Sequence, residues 1–242
     1  MSNGNELLIV EHMKKNIGSN EVLKDISFKV NKGKLVLLIG SNGAGKTTLL
    51  NIIGGQSKVL QGAVQLENHL IAENHLETNE ILRRRTAYLS ADLTFPTHWL
   101  ISEIGKYGGA LFPDFNEDSF KRFILTFQLG HNQSYQSLSL GQQMKVKLSF
   151  ILAREVPLYL LDEPFTNLDL ETRLDLVRLI ISETSPDASF IIATHLIGEF
   201  EQICDEALMM KDGTIRAHIE IDDIREKSQQ SLIEFYQEEL RK

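Results

Sequence analysis

Residues 37–55 read LLIGSNGAGKTTLLNIIGG, an apolar run that passes through a loop of small residues into a second apolar run. At its centre, Gly40-Ser41-Asn42-Gly43-Ala44-Gly45-Lys46-Thr47 has the spacing glycine, four free positions, glycine, lysine, hydroxyl residue. Small side chains let successive backbone N–H groups turn inward as a cup of donors. From Lys46 to Ile53, the apolar Leu49, Leu50, Ile52 and Ile53 fall on one side, which predicts a helix whose positive end meets that cup. Leu35 to Ile39 is a continuous apolar run, as a buried parallel strand requires. Strand, loop, Lys-Thr and helix in this order predict a phosphate site. Lys46 would reach the outer phosphates, and Thr47 would offer its hydroxyl to Mg²⁺.

Downstream, Leu158-Tyr159-Leu160-Leu161-Asp162-Glu163 is a second buried strand ending in two carboxylates. Open parallel sheets bind ligands at the carboxyl ends of their strands, so both acids are expected in the crevice of the phosphate loop. Asp162, nearer the sheet, suits a magnesium ion, and Glu163 lies one residue further out, where an attacking water could stand. His195 follows the strand Phe190-Ile191-Ile192-Ala193-Thr194 and is expected at the same rim, where its imidazole could bond a phosphate oxygen. Leu138-Ser139-Leu140-Gly141-Gln142 opens a further helix. Ser139 and Gln142 have capping-box spacing, yet a bare helix start there would be a second anion site.

The remainder of the 242 residues organises around these points. Ile26, Phe28 and Val30 alternate with Ser27 and Lys29, and Asn31-Lys32-Gly33 turns the chain, which predicts an antiparallel edge within residues 6–38. Residues 92–154 read as almost wholly helical, with Phe120, Phe123, Ile124 and Phe127 as a core stripe. Beyond 157, strand and helix alternate as in parallel βαβ construction, and an amphipathic helix ends the chain. The expected fold is therefore α/β: a nucleotide-binding core over 6–238 with an antiparallel β edge and a helical subdomain inserted at about 92–154. A net charge of −8 argues against nucleic acid as a partner, and the basic run Arg83-Arg84-Arg85 reads as a solvated helix end. Cys204 is the single cysteine, and no run reaches the length of a membrane span. With no secretory signal at the start, a cytoplasmic address is expected.

Taken together, the loop at 40–47, Leu-Ser-x-Gly-Gln at 138–142, the strand ending in Asp162-Glu163, Asn167-Leu168-Asp169 and His195 resemble the ATP-binding-cassette ATPases over essentially the whole chain. The resemblance implies a P-loop core that binds ATP and Mg²⁺. ATP would lie on Gly40, Ser41, Asn42, Gly43, Ala44, Gly45, Lys46, Thr47 and Thr48, with Thr47 and Asp162 at the metal. It implies Glu163 as catalytic base, with Lys46 and His195 as its companions. Two such subunits would pack head to tail, so that Ser139, Leu140, Gly141 and Gln142 of one close over the γ-phosphate held by the other, and Asp169 would communicate across the pair. Two positions depart from the family pattern. Ala91 stands where a glutamine is usual, and Ile17 where an aromatic stacks on adenine. The function implied is the ATPase subunit of a transporter of the exporter type. It would sit peripherally at the inner face of the cell membrane, on a separate transmembrane permease, beside a second ATPase subunit of the same or another kind. A soluble cassette ATPase and a nucleotide-sensing module are the other two classes.

Overall fold

The computed structural model describes residues 5–58, 61–72, 78–166, 168–183, 185–227 and 230–241. The chain opens with β1 (Glu6–Ile17), β2 (Asn20–Asn31) and β3 (Leu35–Gly40), and α1 (Lys46–Ile53) follows the small-residue loop. Next come β4 (Gln61–Leu66), β5 (His69–Ala72), α2 (Thr78–Arg85) and β6 (Thr86–Leu89). Three helices, α3 (Ile101–Leu111), α4 (Glu117–Thr126) and α5 (Leu140–Leu152), separate β6 from β7 (Leu158–Asp162). Then α6 (Leu170–Glu183), β8 (Ser189–Ala193), α7 (Ile197–Phe200), β9 (Glu206–Lys211), β10 (Thr214–Glu220), α8 (Ile221–Lys227) and α9 (Leu232–Arg241) complete the order.

The strands form two sheets. One has the order β2-β1-β4-β5 and is antiparallel throughout; the other has the order β10-β9-β3-β8-β7-β6, parallel from β9 to β6. Alternation along the parallel strands explains their continuous apolar sequence, because each strand feeds two separate cores. Val36, Leu38, Leu158, Leu160 and Ile191 pack with α1 and the antiparallel sheet. Leu37, Ile39, Leu161, Phe190 and Ile192 pack with the helical side of the molecule, beside Val146, Ile151, Leu176 and Phe200. Each such side chain contributes about 1.5–3 kcal/mol of burial. The turn Asp212-Gly213 between β9 and β10 has positive φ at both residues, as a two-residue hairpin of this hand demands. Its tip is tied to β2, where the Lys24 N–H donates to the Gly213 carbonyl at 2.9 Å.

The helical reading of 92–154 holds for α3, α4 and α5, but residues 92–99 and the stretch 127–139 are turns and irregular chain with one 3-10 turn at Tyr135–Ser137. The apolar residues there do not need a helix to reach the core: Phe95 and Tyr135 pack edge to face at 5.5 Å and both are buried. Trp99 and Phe112 also pack against this core. The stripe Phe120, Phe123, Ile124 and Phe127 is buried, and Asn116 caps its helix by accepting from the Ser119 N–H at 2.9 Å. The basic run ends α2 with every member engaged, Arg83 on the Gly55 carbonyl, Arg84 on Glu80 and Arg85 on Glu67.

Arg154 fastens the helical side to the parallel sheet. Its guanidinium holds Asp114 by two nitrogens at 3.1 and 2.7 Å, donates to the carbonyls of Thr86 at 2.7 Å and Arg84 at 3.1 Å, and lies 4.1 Å from the Phe112 ring centroid. Arg154→Met would strand the carboxylate of Asp114 and several carbonyls together. We expect unfolding free energy to fall by about 3–5 kcal/mol, read from the midpoint of a urea titration followed by circular dichroism.

Candidate functional site

Where β3 ends, the backbone turns into the loop in a conformation open mainly to glycine. Gly43 and Gly45 have φ of 82° and 105°, and a Cβ on Gly45 would stand 2.8 Å from the Leu23 Cδ2 methyl. The Ala44 N–H donates to the Ser41 carbonyl at 3.1 Å, and the Gly213 N–H supports the loop from behind by donating to the Ala44 carbonyl at 3.2 Å. Gly45 is the N-cap of α1, with no side-chain cap and no acidic residue in the first turn. By contrast, Asn116, Ser139, Asp169 and Ser231 accept from backbone N–H groups at the starts of α4, α5, α6 and α9. The open amides and positive end of α1 therefore face a cleft of about 350 Å³, lined by Val22, by the loop from Ser41 to Thr48, and by Asp162 and Glu163. Such an end is built for an anion. Lys46, buried, holds the carbonyls of Gly40 at 2.7 Å and Ser41 at 3.3 Å, which places its ammonium inside the loop.

The pairing of β7 between β6 and β8 brings its carboxyl end to this cleft. Asp162 is buried there, and burial raises its carboxyl above the ordinary range; the Thr47 hydroxyl and the Lys46 charge beside it act in the opposite direction. Among the described residues no group of three or more His, Cys, Asp or Glu could hold a metal by itself. Thr47 and Asp162 together offer two hard oxygen donors on one wall, the number a magnesium ion uses when phosphates and water complete its shell. The donor set thus fits Mg²⁺ arriving with a nucleotide.

Glu163 turns out of the strand with φ of 49°, and its N–H donates to the Ala193 carbonyl at 2.8 Å. A left-handed non-glycine residue is strained by about 1–3 kcal/mol, which the strand pairing overcomes. Its carboxylate accepts from the Thr166 hydroxyl at 3.2 Å and from His195 Nδ1 at 2.9 Å. Because a carboxylate only accepts, Nδ1 carries the hydrogen, and a neutral His195 has an accepting Nε2. Donation from Nε2 to a phosphate then requires a second proton on the ring.

The other expected site residues stand elsewhere. Ser139 and Gln142 form a complete capping box, Gln142 N–H to Ser139 Oγ at 3.2 Å and Ser139 N–H to Gln142 Oε1 at 2.9 Å. The start of α5 is therefore capped from within, not bare. Leu140 is 72% exposed, and Gly141 faces Thr172 at the start of α6. None of the four lines the cleft of the phosphate loop. Asp169 caps α6 through the Thr172 N–H at 2.9 Å and hydroxyl at 3.0 Å, which hold its carboxyl below the usual range. Asn167 lies outside the described residues. Ile17, 58% exposed at the end of β1, does not line the cleft either, whereas Val22 on β2 does. An apolar residue on an alternating strand gave no sequence signal for that. A larger hollow of about 520 Å³ includes Lys32, Pro157 and Ala188, at the amino ends of the parallel strands, opposite the end where such sheets take ligands.

Against known proteins, residues 23–166 match the family model described as ABC transporter. The lipoprotein-releasing system ATP-binding protein LolD of Aquifex aeolicus is 30% identical over 224 residues, covering 88% of this chain and 98% of that one. The phosphonates import ATP-binding protein PhnC of Fusobacterium nucleatum is 25% identical over 245 residues, covering 93% and 99%. A solved ATP-binding subunit of an ABC transporter superposes with a TM-score of 0.85 at 27% identity, over 97% of this chain and 99% of the other.

Lys46→Ala removes the ammonium while leaving the loop amides in place. The Kd for ATP, measured by calorimetry, should rise about ten- to hundredfold, the loss of one charge-assisted contact of about 1.5–3 kcal/mol.

Proposed function

Because the chain belongs to the ABC transporter family, we propose that it is an ATP-hydrolysing subunit that powers a separate transmembrane permease. One observation carries the reading: an uncapped helix end, a buried lysine and the Asp162-Glu163 pair line the same cleft. The domain is taken as 6–238, with 92–154 as its helical subdomain. The loop Gly40, Ser41, Asn42, Gly43, Ala44 and Gly45, through its open amides, and the ammonium of Lys46 hold the phosphates, with Thr47 and Thr48 at the first turn of α1. Thr47 and Asp162 hold Mg²⁺, which when bound draws charge from the phosphate oxygens. Ile17 covers the adenine from the end of β1, as an apolar contact without ring stacking.

Glu163 accepts the proton of the attacking water. Its carboxylate is shared with His195 and Thr166 in the free chain, so a water must compete with the imidazole for the same oxygen. Once His195 turns to the phosphate, Glu163 is released to work as base. Ser139, Leu140, Gly141 and Gln142 of a second subunit close the other side of the nucleotide, and Asp169, which fixes the start of α6 beside Gly141, links that closure to the partner. Such a pairing explains why these residues lie away from the cleft of their own chain.

No helix among the described residues is long and apolar enough to cross a membrane, which supports a separate membrane partner. Trp99 packs edge to face on Tyr107, and the exposed Tyr107 and Leu111 extend this apolar surface on α3 toward a docking partner, the permease. The pentapeptide and compact helical segment support export, with the protein on the inner face of the cell membrane. Ala91 and Ile17 favour a second reading, a nucleotide-sensing module without turnover.

Phosphate release separates the two. With Mg-ATP the full chain should turn over, and Glu163→Gln should lower the rate by about 10²–10⁴-fold. The sensing reading predicts equal background rates for both. Size-exclusion chromatography of Glu163→Gln with ATP should show a dimer, and capture from detergent extract should recover a multi-span membrane protein. Elution as a monomer, with no second cassette recovered, contradicts the shared nucleotide.

A further inference from the structure

Tyr88 brings a buried hydroxyl up to the Asp162 carboxylate from behind the cleft. It lies on β6 in parallel register with Leu160 of β7. Residues two apart on a strand share a face, so Tyr88, Leu160 and Asp162 project from the same side of the sheet, the side that α1 covers. Its ring is wedged in place: a Cβ on Gly54, at the end of α1, would stand 2.9 Å from Tyr88 Cδ1 and 3.3 Å from a Leu160 methyl. The hydroxyl is buried and has no hydrogen-bond partner among the described residues. Native chains rarely leave such a group unpaired without a use for it.

Asp162 and Asp92 both lie near this phenol, whose O–H is a donor at neutral pH. In the free chain it stands close enough to Asp162 to lower that carboxyl's proton affinity, yet short of full hydrogen-bond geometry. Ala91, in the turn that follows β6, brings no polar side-chain atom to the same edge. On the nucleotide reading given above, we infer that Tyr88 is a positioning residue: its hydroxyl donates to the Asp162 carboxylate when the site is loaded and fixes that carboxylate toward the metal. Thr47 and Tyr88 then hold Asp162 between two hydroxyls. Outer-shell donors of this kind set the orientation of a metal ligand and strengthen it.

Tyr88→Phe keeps the ring against Gly54 and Leu160 and removes only the unpaired oxygen. The full chain and the variant are compared by calorimetry with ADP, first in EDTA and then across a Mg²⁺ titration, and by the electron paramagnetic resonance spectrum of Mn²⁺ in the ADP complex. Metal-free ADP affinity and the melting temperature should be unchanged. The Mg²⁺ midpoint should rise about tenfold, and the Mn²⁺ spectrum should change. Equal Mg²⁺ midpoints with intact ADP affinity overturn the role of Tyr88 and leave the nucleotide site standing. A lower melting temperature in the variant also overturns it, since the hydroxyl would then serve packing. A parent chain that binds no ADP removes the nucleotide reading itself, and this inference with it.

Discussion

Left-handed backbone at Gly43 and Gly45 is the constraint on which the rest of the molecule depends. Only there can the chain leave β3, turn its amides toward one point and enter α1 without a side-chain cap. Any Cβ at Gly45 would meet Leu23 of the antiparallel sheet, so the loop is shaped from outside as well as by its own torsions. The lysine that follows is drawn inside by two carbonyls of the same loop. A buried charge of this kind is tolerable because those carbonyls replace its water, and because an anion can replace them in turn.

From that point the architecture follows the alternation of the parallel strands. One set of side chains closes over α1 and the antiparallel sheet, the other over the helices, and the strand ends are left as the place where polar groups collect. Asp162 belongs to the last pleat of β7, and Glu163 leaves the strand in a turn that aims it at His195. Adjacent in sequence, the two acids meet different surroundings, one buried beside Thr47 and Lys46, the other partly open and shared with an imidazole. Different chemistry can therefore be asked of each.

Much of this was legible in the residues. The order apolar run, small-residue loop, Lys-Thr, apolar helix left few alternatives for 37–55, and the run 158–163 announced a buried strand with acids at its end. Capping spacing at Ser139 and Gln142 was also readable, and the box is present. What the sequence concealed lies in tertiary contact. Residues 92–99 fall within the stretch that reads as almost wholly helical, yet Phe95 and Trp99 pack from irregular chain. Val22 looks like any residue of a half-exposed strand until the cleft is drawn around it. Tyr88 becomes notable only through the register that sets it beside the Asp162 strand.

The Gly213 amide at the tip of the last hairpin supports the Ala44 carbonyl, and β3 lies between β8 and β9. During synthesis the phosphate loop therefore leaves the exit tunnel long before its neighbours exist. At translation rates of about 5–20 residues per second, the roughly 170 residues between them take about 10–30 seconds to appear. A nascent chain spends that interval with its anion cup unbraced and one edge of its central strand open. Ligand recognition is thus a late event in the synthesis of this domain, reached only after the Asp212-Gly213 hairpin has emerged.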